Sequence, residues 1–312
     1  MAVADSVSGR NVGVSQYAGV RLFKETIQGM HLEEDLHGVR VAPILDADGD
    51  VTKELGEAEA LLSGGVDGLV LFSGGSTWDD FVQRAVASGI YVFTYNPGPT
   101  AGATMNIRKQ PGAAAALGEA AAAWINSEHG GDAKFAVLAH SSQAGRDRAA
   151  AMRNGVLAHA PNATPVAEIV APGFSEGAKA TEDLLSAYPD LRAVLSFYDD
   201  AALGVLEAAT AAGKTDPADF WIGGFMGIEP ALEKIAEGGL FQATISFYVK
   251  FNGVQIMRDM VKCLRGEEIP PTRENRFELI TRANVETHKK LLMDPLAADT
   301  ARIVEPGRLA ID

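Results

Sequence analysis

Strand-like and helix-like stretches alternate along almost the whole of this chain, and that alternation limits its fold more than any other feature. In runs such as AVLSFY (193–198) and FWIGGF (220–225) the apolar residues are continuous, as in a strand covered on both faces. Each run breaks into a turn that leads into a helical pattern. Strands separated in this way lie parallel, with the helices packed on both faces of the sheet. The first unit reads NVGVSQ, a helix from about Leu22 to Leu36, GVRVAPIL, VTKELGEAEALLSG, DGLVLFSG, WDDFVQRAVASG and YVFTYN. Asn96-Pro97-Gly98-Pro99 then stops both helix and sheet, because two prolines and a glycine suit neither. The alternation restarts with an alanine-rich helix from Gly112 to Ser127 and continues through KFAVLAH, RDRAAAMRNGVLAHA, TPVAEIVA and EGAKATEDLLSAY to the two runs above. The chain is therefore α/β, with two doubly wound units of similar build.

The 312 residues suit two domains, and 47% apolar residues supply a core for both. A formal charge of −14 argues against a phosphate-backbone partner, which needs clustered Lys and Arg. Cys263 is the single cysteine, so no internal disulfide forms, and it reads as a small buried apolar residue. His31, His37, His129, His140, His159 and His288 lie apart, with no H-E-x-x-H spacing, and no metal or cofactor is expected. Gly74-Gly75 and Gly223-Gly224 match neither the dinucleotide fingerprint nor the P-loop, no G-x-S-x-G elbow occurs, and Ser141-Ser142 beside His140 lacks an orienting carboxylate. The chain does not read as an enzyme. MAVADSVSGR has neither the basic start nor the apolar core of a secretory signal, and fits a mature exported protein whose signal has been removed.

In an open parallel sheet, small molecules bind beyond the carboxyl ends of the strands, where helix amino termini and loops converge. Two such ends are clear here. Tyr198-Asp199-Asp200 leads into AALGVLEAATAAG, and Phe225-Met226-Gly227 leads into IEPALEKIAEGG. Side chains at both breaks are expected to face a ligand, with Asp199 and Asp200 capping the helix that starts at Ala201. Trp78 is expected at a helix start, packed at the surface.

GVDGLVLFSG, SGIYVFTYN, AVLSFYDDAALGVLEAATAAG and FWIGGFMGIEPALEKIAEGGLFQATI are similar in order and spacing to the sugar-binding proteins of bacterial ABC importers, the ribose-binding type. The resemblance runs roughly from Asn11 to Gly266. It implies two Rossmann-like, doubly wound lobes joined by a three-segment hinge, with the ligand between them. The crossings it implies lie near Asn96 to Pro99, near Phe247 to Lys250, and late in the chain. The corresponding lobes are 1–97 plus about 249–285, and 98–248 plus about 286–312. The implied partner is a membrane permease, and the implied state a monomer in the periplasm or at the cell surface. A signal-sensing receptor of the same fold is the alternative. A repressor is disfavoured, since only ten residues precede NVGVSQ.

Several of the family's ligand positions depart from its pattern. Asn96-Pro97 stands for an Asp-Arg pair, Tyr198 for an Asn, Met226 for an Asp and Phe247 for a Gln. Asn96 keeps an amide and Tyr198 a hydroxyl, while Phe225, Met226 and Phe247 become apolar walls. Phe23 and Phe174 stand where the family offers aromatic faces, and Ser73 where a polar side chain enters the cleft. Arg21, Arg108, Arg146 and Arg148 are the candidate cationic donors, with Arg148 favoured. The expected ligand-binding set is Tyr17, Arg21, Phe23, Ser73, Asn96, Arg108, Arg148, Phe174, Tyr198, Phe225, Met226 and Phe247. The expected ligand is a small neutral sugar or short polyol.

Overall fold

The computed structural model describes residues 7–19, 21–95, 99–109, 112–275, 277–293, 302–303 and 309–310. Two six-stranded sheets form the frame. The first contains β1 (Asn11–Gln16), β2 (Arg40–Asp46), β3 (Gly68–Leu71), β4 (Tyr91–Tyr95), β5 (Met105–Lys109) and β11 (Thr272–Asn275), in the order β11-β5-β4-β3-β1-β2. All its pairings are parallel. The second contains β6 (Lys134–Ala139), β7 (Thr164–Val170), β8 (Leu191–Ser196), β9 (Trp221–Met226), β10 (Phe241–Ser246) and β12 (Glu278–Thr281), in the order β12-β10-β9-β8-β6-β7. Only β12 runs antiparallel there, against β10. The same strand order in both sheets confirms two units of one build. Two-residue strands at Arg302–Ile303 and Leu309–Ala310 pair with each other.

The helices are α1 (Arg21–His31), α2 (Glu34–His37), α3 (Val51–Ser63), α4 (Asp79–Ala87), α5 (Ala113–His129), α6 (Gln143–His159), α7 (Phe174–Ala187), α8 (Asp199–Ala211), α9 (Glu229–Glu237), α10 (Val249–Leu264) and α11 (Val285–Met293). The expected helix from Leu22 to Leu36 is two helices, because the chain turns between His31 and Glu34. Trp78 is not at the surface: it is 2% exposed, with its ring edge-on to Phe81 at 5.8 Å.

The break at Asn96-Pro97-Gly98-Pro99 does not end the first sheet. The chain returns as β5 beside β4 and leaves after Lys109, reaching α5 at Ala113. Met105 and Ile107 point into the core while Asn106 and Arg108 do not, so β5 is a short alternating strand that pairing, rather than apolar content, defines. The second passage runs from β10 at Ser246 to α10 at Val249, and α10 packs on α1 beside the first sheet. The third runs from β11 at Asn275 to β12 at Glu278. Residues 99–109 thus belong with the first sheet, and 278–281 with the second, against the expected lobe boundaries.

Neighbouring helices meet through reciprocal glycines. A Cβ at Gly29 would lie 1.9 Å from the Lys250 carbonyl oxygen, and one at Gly253 1.9 Å from that of Thr26, joining α1 to α10. Gly118 and Gly155 do the same for α5 and α6, and Gly177 and Gly204 for α7 and α8. Gly56 is different. It sits exposed inside α3 with nothing within 4 Å of a built Cβ. Gly56→Ala should raise stability by about 0.5–1 kcal/mol by relieving the backbone-entropy penalty of glycine in a helix, measured by urea unfolding.

Candidate ligand-binding site

Polar and aromatic side chains gather at the carboxyl ends of both sheets. On the second sheet Arg148 of α6 is the centre. Its Cζ lies 4.0 Å from the Phe197 ring centroid, 4.1 Å from that of Phe225 and 5.9 Å from that of Tyr198. One guanidinium nitrogen, Nη1, donates to the Phe197 carbonyl at 3.0 Å. No carboxylate pairs with it among the described residues. Burial therefore pulls its pKa down to about 10, against a weaker opposing effect of the Tyr198 hydroxyl.

The box around Arg148 follows from strand geometry. β8 ends at Ser196, and Phe197 and Tyr198 follow it before α8 with their rings edge-to-face at 4.3 Å, both beside the Arg148 guanidinium. Phe225, the last residue but one of β9, is 1% exposed and meets Phe247, 2% exposed, at 5.6 Å. Met226 follows with φ at 122°, a strained value for a residue with a Cβ and one that clusters at functional sites. His140, at the end of β6, stacks on Phe197 at 5.3 Å. Its Nδ1 lies 3.0 Å from the Ser142 hydroxyl, which caps α6. Burial also raises the Tyr198 phenol, an effect that Arg148 partly offsets.

The first sheet supplies a second aromatic group. Phe23 of α1 stacks on Phe72 at 4.6 Å and meets Tyr95 edge-on at 6.4 Å. Tyr95 ends β4, and burial pushes its hydroxyl up to about 12 despite Asn275 beside it. Ser73 follows Phe72, with its hydroxyl beside Glu54, a carboxyl 1% exposed and raised by burial. Leu22 packs both against the cluster holding Phe72 and Tyr95 and against the cluster holding Phe225 and Phe247. The two aromatic groups therefore lie on either side of the first turn of α1.

The arginines separate cleanly. Arg21 is exposed and pairs with Glu25 at 2.7 Å along its own helix. Arg108 is exposed on β5. Arg146 bonds the Ser141 carbonyl and Gln143 Oε1 next to its own helix start. Only Arg148 enters the aromatic box. Tyr17 is 40% exposed and Phe174, the first residue of α7, 43% exposed. Both stand at strand-to-helix connections, outside the packed groups. Asn96 lies outside the described residues. Phe72, Phe197, Tyr95 and His140 were missed in the sequence, although Phe72 and Phe197 directly precede Ser73 and Tyr198.

Asp199 does not cap its own helix. It is fully buried, accepting from the Ile228 backbone N–H at 2.9 Å and the Thr244 hydroxyl at 2.7 Å, and so ties the α8 start to β10 and the β9–α9 turn. Burial raises its pKa from 3.8 to about 6, although these hydrogen bonds oppose the shift. The folded chain holds this proton more tightly than the unfolded one. Asp199 therefore costs stability as pH rises through this window, and the full cost is present above it. Asp199→Asn loses an acceptor and should destabilise by about 1–3 kcal/mol. That loss should be larger at about pH 4.5 than at about pH 7.5, because only the wild type carries the ionisation cost, as denaturant melts at the two pH values will read.

Residues 17–268 match the model of the periplasmic binding protein domain. The ribose import binding protein RbsB of Bacillus subtilis is 28% identical over 248 residues, covering 78% of each chain. Among solved structures, an ABC transporter solute binding protein from Bacillus halodurans with bound myo-inositol superposes with a TM-score of 0.74 at 22% identity, over 91% of this chain and 98% of that one. One from Mycobacterium smegmatis with bound glycerol gives 0.71 at 23%, over 89% and 96%. With two matching α/β sheets, three passages between them and a domain match over most of its length, the chain belongs to the periplasmic binding protein domain family.

Proposed function

We propose that this protein is the solute-binding component of an ABC importer, capturing a neutral sugar or short polyol between the carboxyl ends of its two sheets. The carrying observation is Arg148, a partly buried guanidinium against the rings of Phe197 and Phe225 with its remaining N–H groups unpaired among the described residues. Such a fork grips two adjacent hydroxyls, while the aromatic faces take the C–H surface of the ligand. Phe23 and Phe72 form the opposing wall, with Ser73 as a hydrogen-bonding partner. Met226 and Phe247 leave fewer polar clamps than the family pattern, which favours a small ligand. The lobes divide as 7–109 with 249–275, and 112–246 with 278–293, and closure about the three passages excludes water from the ligand. The neighbours with myo-inositol and glycerol bound support this ligand class. The family binds solutes rather than transforming them, and an exported location with a permease partner completes the reading.

A thermal-shift panel of tetritols, pentitols, pentoses and hexoses tests it: at least one should raise the melting temperature in a dose-dependent way. Stabilisation by an amino acid or an aromatic compound alone would place the ligand class elsewhere. Tyr198→Phe should then weaken the stabilising solute by about 1 kcal/mol, roughly fivefold, measured by titration calorimetry.

A further inference from the structure

Tyr248 adopts a backbone conformation that its side chain disfavours. It is the last residue of the second passage, directly before α10, and stands at φ 51° and ψ 48°, the left-handed region that bulky residues rarely enter. Its surroundings hold it there. The Tyr248 N–H donates to the Ser246 hydroxyl at 3.2 Å, its carbonyl accepts from the Asn252 N–H at 2.8 Å, and its own hydroxyl donates to Glu278 Oε2. The residue is 5% exposed, and its ring lies 4.7 Å from that of His288, itself 1% exposed. Strained backbone supported in this way clusters at switch regions.

The two ends of the hydroxyl bond belong to different lobes. α10 carries Tyr248 and packs on α1 beside the first sheet. Glu278 is the first residue of β12 in the second sheet, and His288 sits on α11, which packs on α9 and β12. Glu278 also ends the third passage, so the bond bridges two of the passages about which the lobes rotate. The carboxylate is fixed from its own side: Asn284 Nδ2 donates to Oε1 at 3.0 Å, and His288 Nδ1 lies 3.7 Å from Oε2. The Tyr248 hydroxyl, by contrast, stands at the far end of a ring rooted on α10. Rotation of α10 against β12 therefore swings it off a carboxylate that stays with the second sheet. In this structure the lobes meet, since Leu22 of α1 packs against the cluster holding Phe225 and Phe247. The bond belongs to that arrangement.

We propose that Tyr248 and Glu278 are positioning residues for solute capture, whose hydrogen bond ties the second passage to the third and favours the arrangement in which the lobes meet, with neither side chain touching the solute. The purpose of this tie rests on the solute-binding reading; its test does not. A contact made in only one of two arrangements shifts their populations by its own free energy, and apparent affinity follows the fraction that is competent to bind. A phenol donating to a carboxylate is among the stronger contacts of this kind.

Small-angle X-ray scattering of the unliganded protein decides. Tyr248→Phe removes the hydroxyl alone and should give a larger radius of gyration than the wild type. Glu278→Ala should shift it in the same direction, and the double variant no further than the larger single shift, because both changes break one bond. For solutes that stabilise the wild type in the thermal-shift panel, Tyr248→Phe should raise Kd by about five- to tenfold, by the same factor for each. A side chain in contact with the solute would affect different solutes unequally. If no solute in the panel binds, the solute reading fails while the scattering still tests the tie. A wild-type radius of gyration in Tyr248→Phe would overturn the proposal; should that variant fail to fold, Glu278→Ala is read in the same way.

Discussion

Arg148→Met should abolish tight solute binding while leaving the unliganded protein at least as stable as the wild type. The expected affinity loss is about 2–4 kcal/mol, roughly 30- to 1,000-fold, because charged donors to a buried ligand are removed together with their fixed geometry. The stability result follows from the other half of the same observation. The guanidinium is partly buried against Phe197 and Phe225 without a carboxylate among the described residues, and its lowered pKa reflects that desolvation. A thioether of similar length keeps contact with both rings and removes an uncompensated charge, which is neutral or favourable for folding. Arg148→Lys should also lose most of the affinity, since a compact ammonium neither stacks on aromatic faces nor grips two hydroxyls at once. Calorimetry and denaturant unfolding on the same samples separate the two effects. A Met variant that binds normally would remove Arg148 from the site.

The second large effect is on the frame. Gly253→Ala should lower stability by about 2–4 kcal/mol and the melting temperature by about 5–10 °C. The added methyl would lie 1.9 Å from the Thr26 carbonyl oxygen and 2.9 Å from the Gly29 Cα, both backbone atoms, so α1 and α10 must move apart. That contact matters beyond packing. α10 begins directly after the passage from β10, and α1 carries Leu22 and Phe23 between the two aromatic groups. Separating these helices should weaken solute binding as well as stability. Gly56→Ala is the control that changes composition in the same way without a backbone clash. A Gly253→Ala protein melting within about one degree of the wild type would show that the interface relaxes freely.

What the sequence revealed depended on whether burial or pairing defined each element. β1, β3, β6, β8, β9 and β10 are buried on both faces and mostly apolar, and their order alone indicated two matching sheets. β5, β11 and β12 read MNIRK, TREN and ELIT. They are short and partly polar, and become strands because a neighbour's edge is available to them. Missing β5 moved the first passage from Lys109 back to the proline-rich break. The site was legible to the same degree. Tyr198 and Phe225 stood out as the ends of apolar strands, and both do line the Arg148 box. Phe197 and Phe72 were absorbed into the strand reading because each is the last apolar residue before a visible break. The sequence favoured Arg148 only slightly over Arg21, Arg108 and Arg146. Arg21 is taken by Glu25 one helical turn away, and only three-dimensional packing places Arg148 among three aromatic rings. Asp199 shows the opposite failure: its position suggested a helix cap, but Thr244 and the Ile228 N–H hold its carboxylate instead.

The central claim is that a small polyhydroxy solute is held between the two sheets, gripped by Arg148 and flanked by rings from both sides. A crystal structure of the protein with the solute that gives the largest thermal shift tests this most directly. The account predicts density for that solute against Arg148 and Phe225, with Phe23 on its opposite face. Density for the solute elsewhere, with the Arg148 box empty, would contradict it.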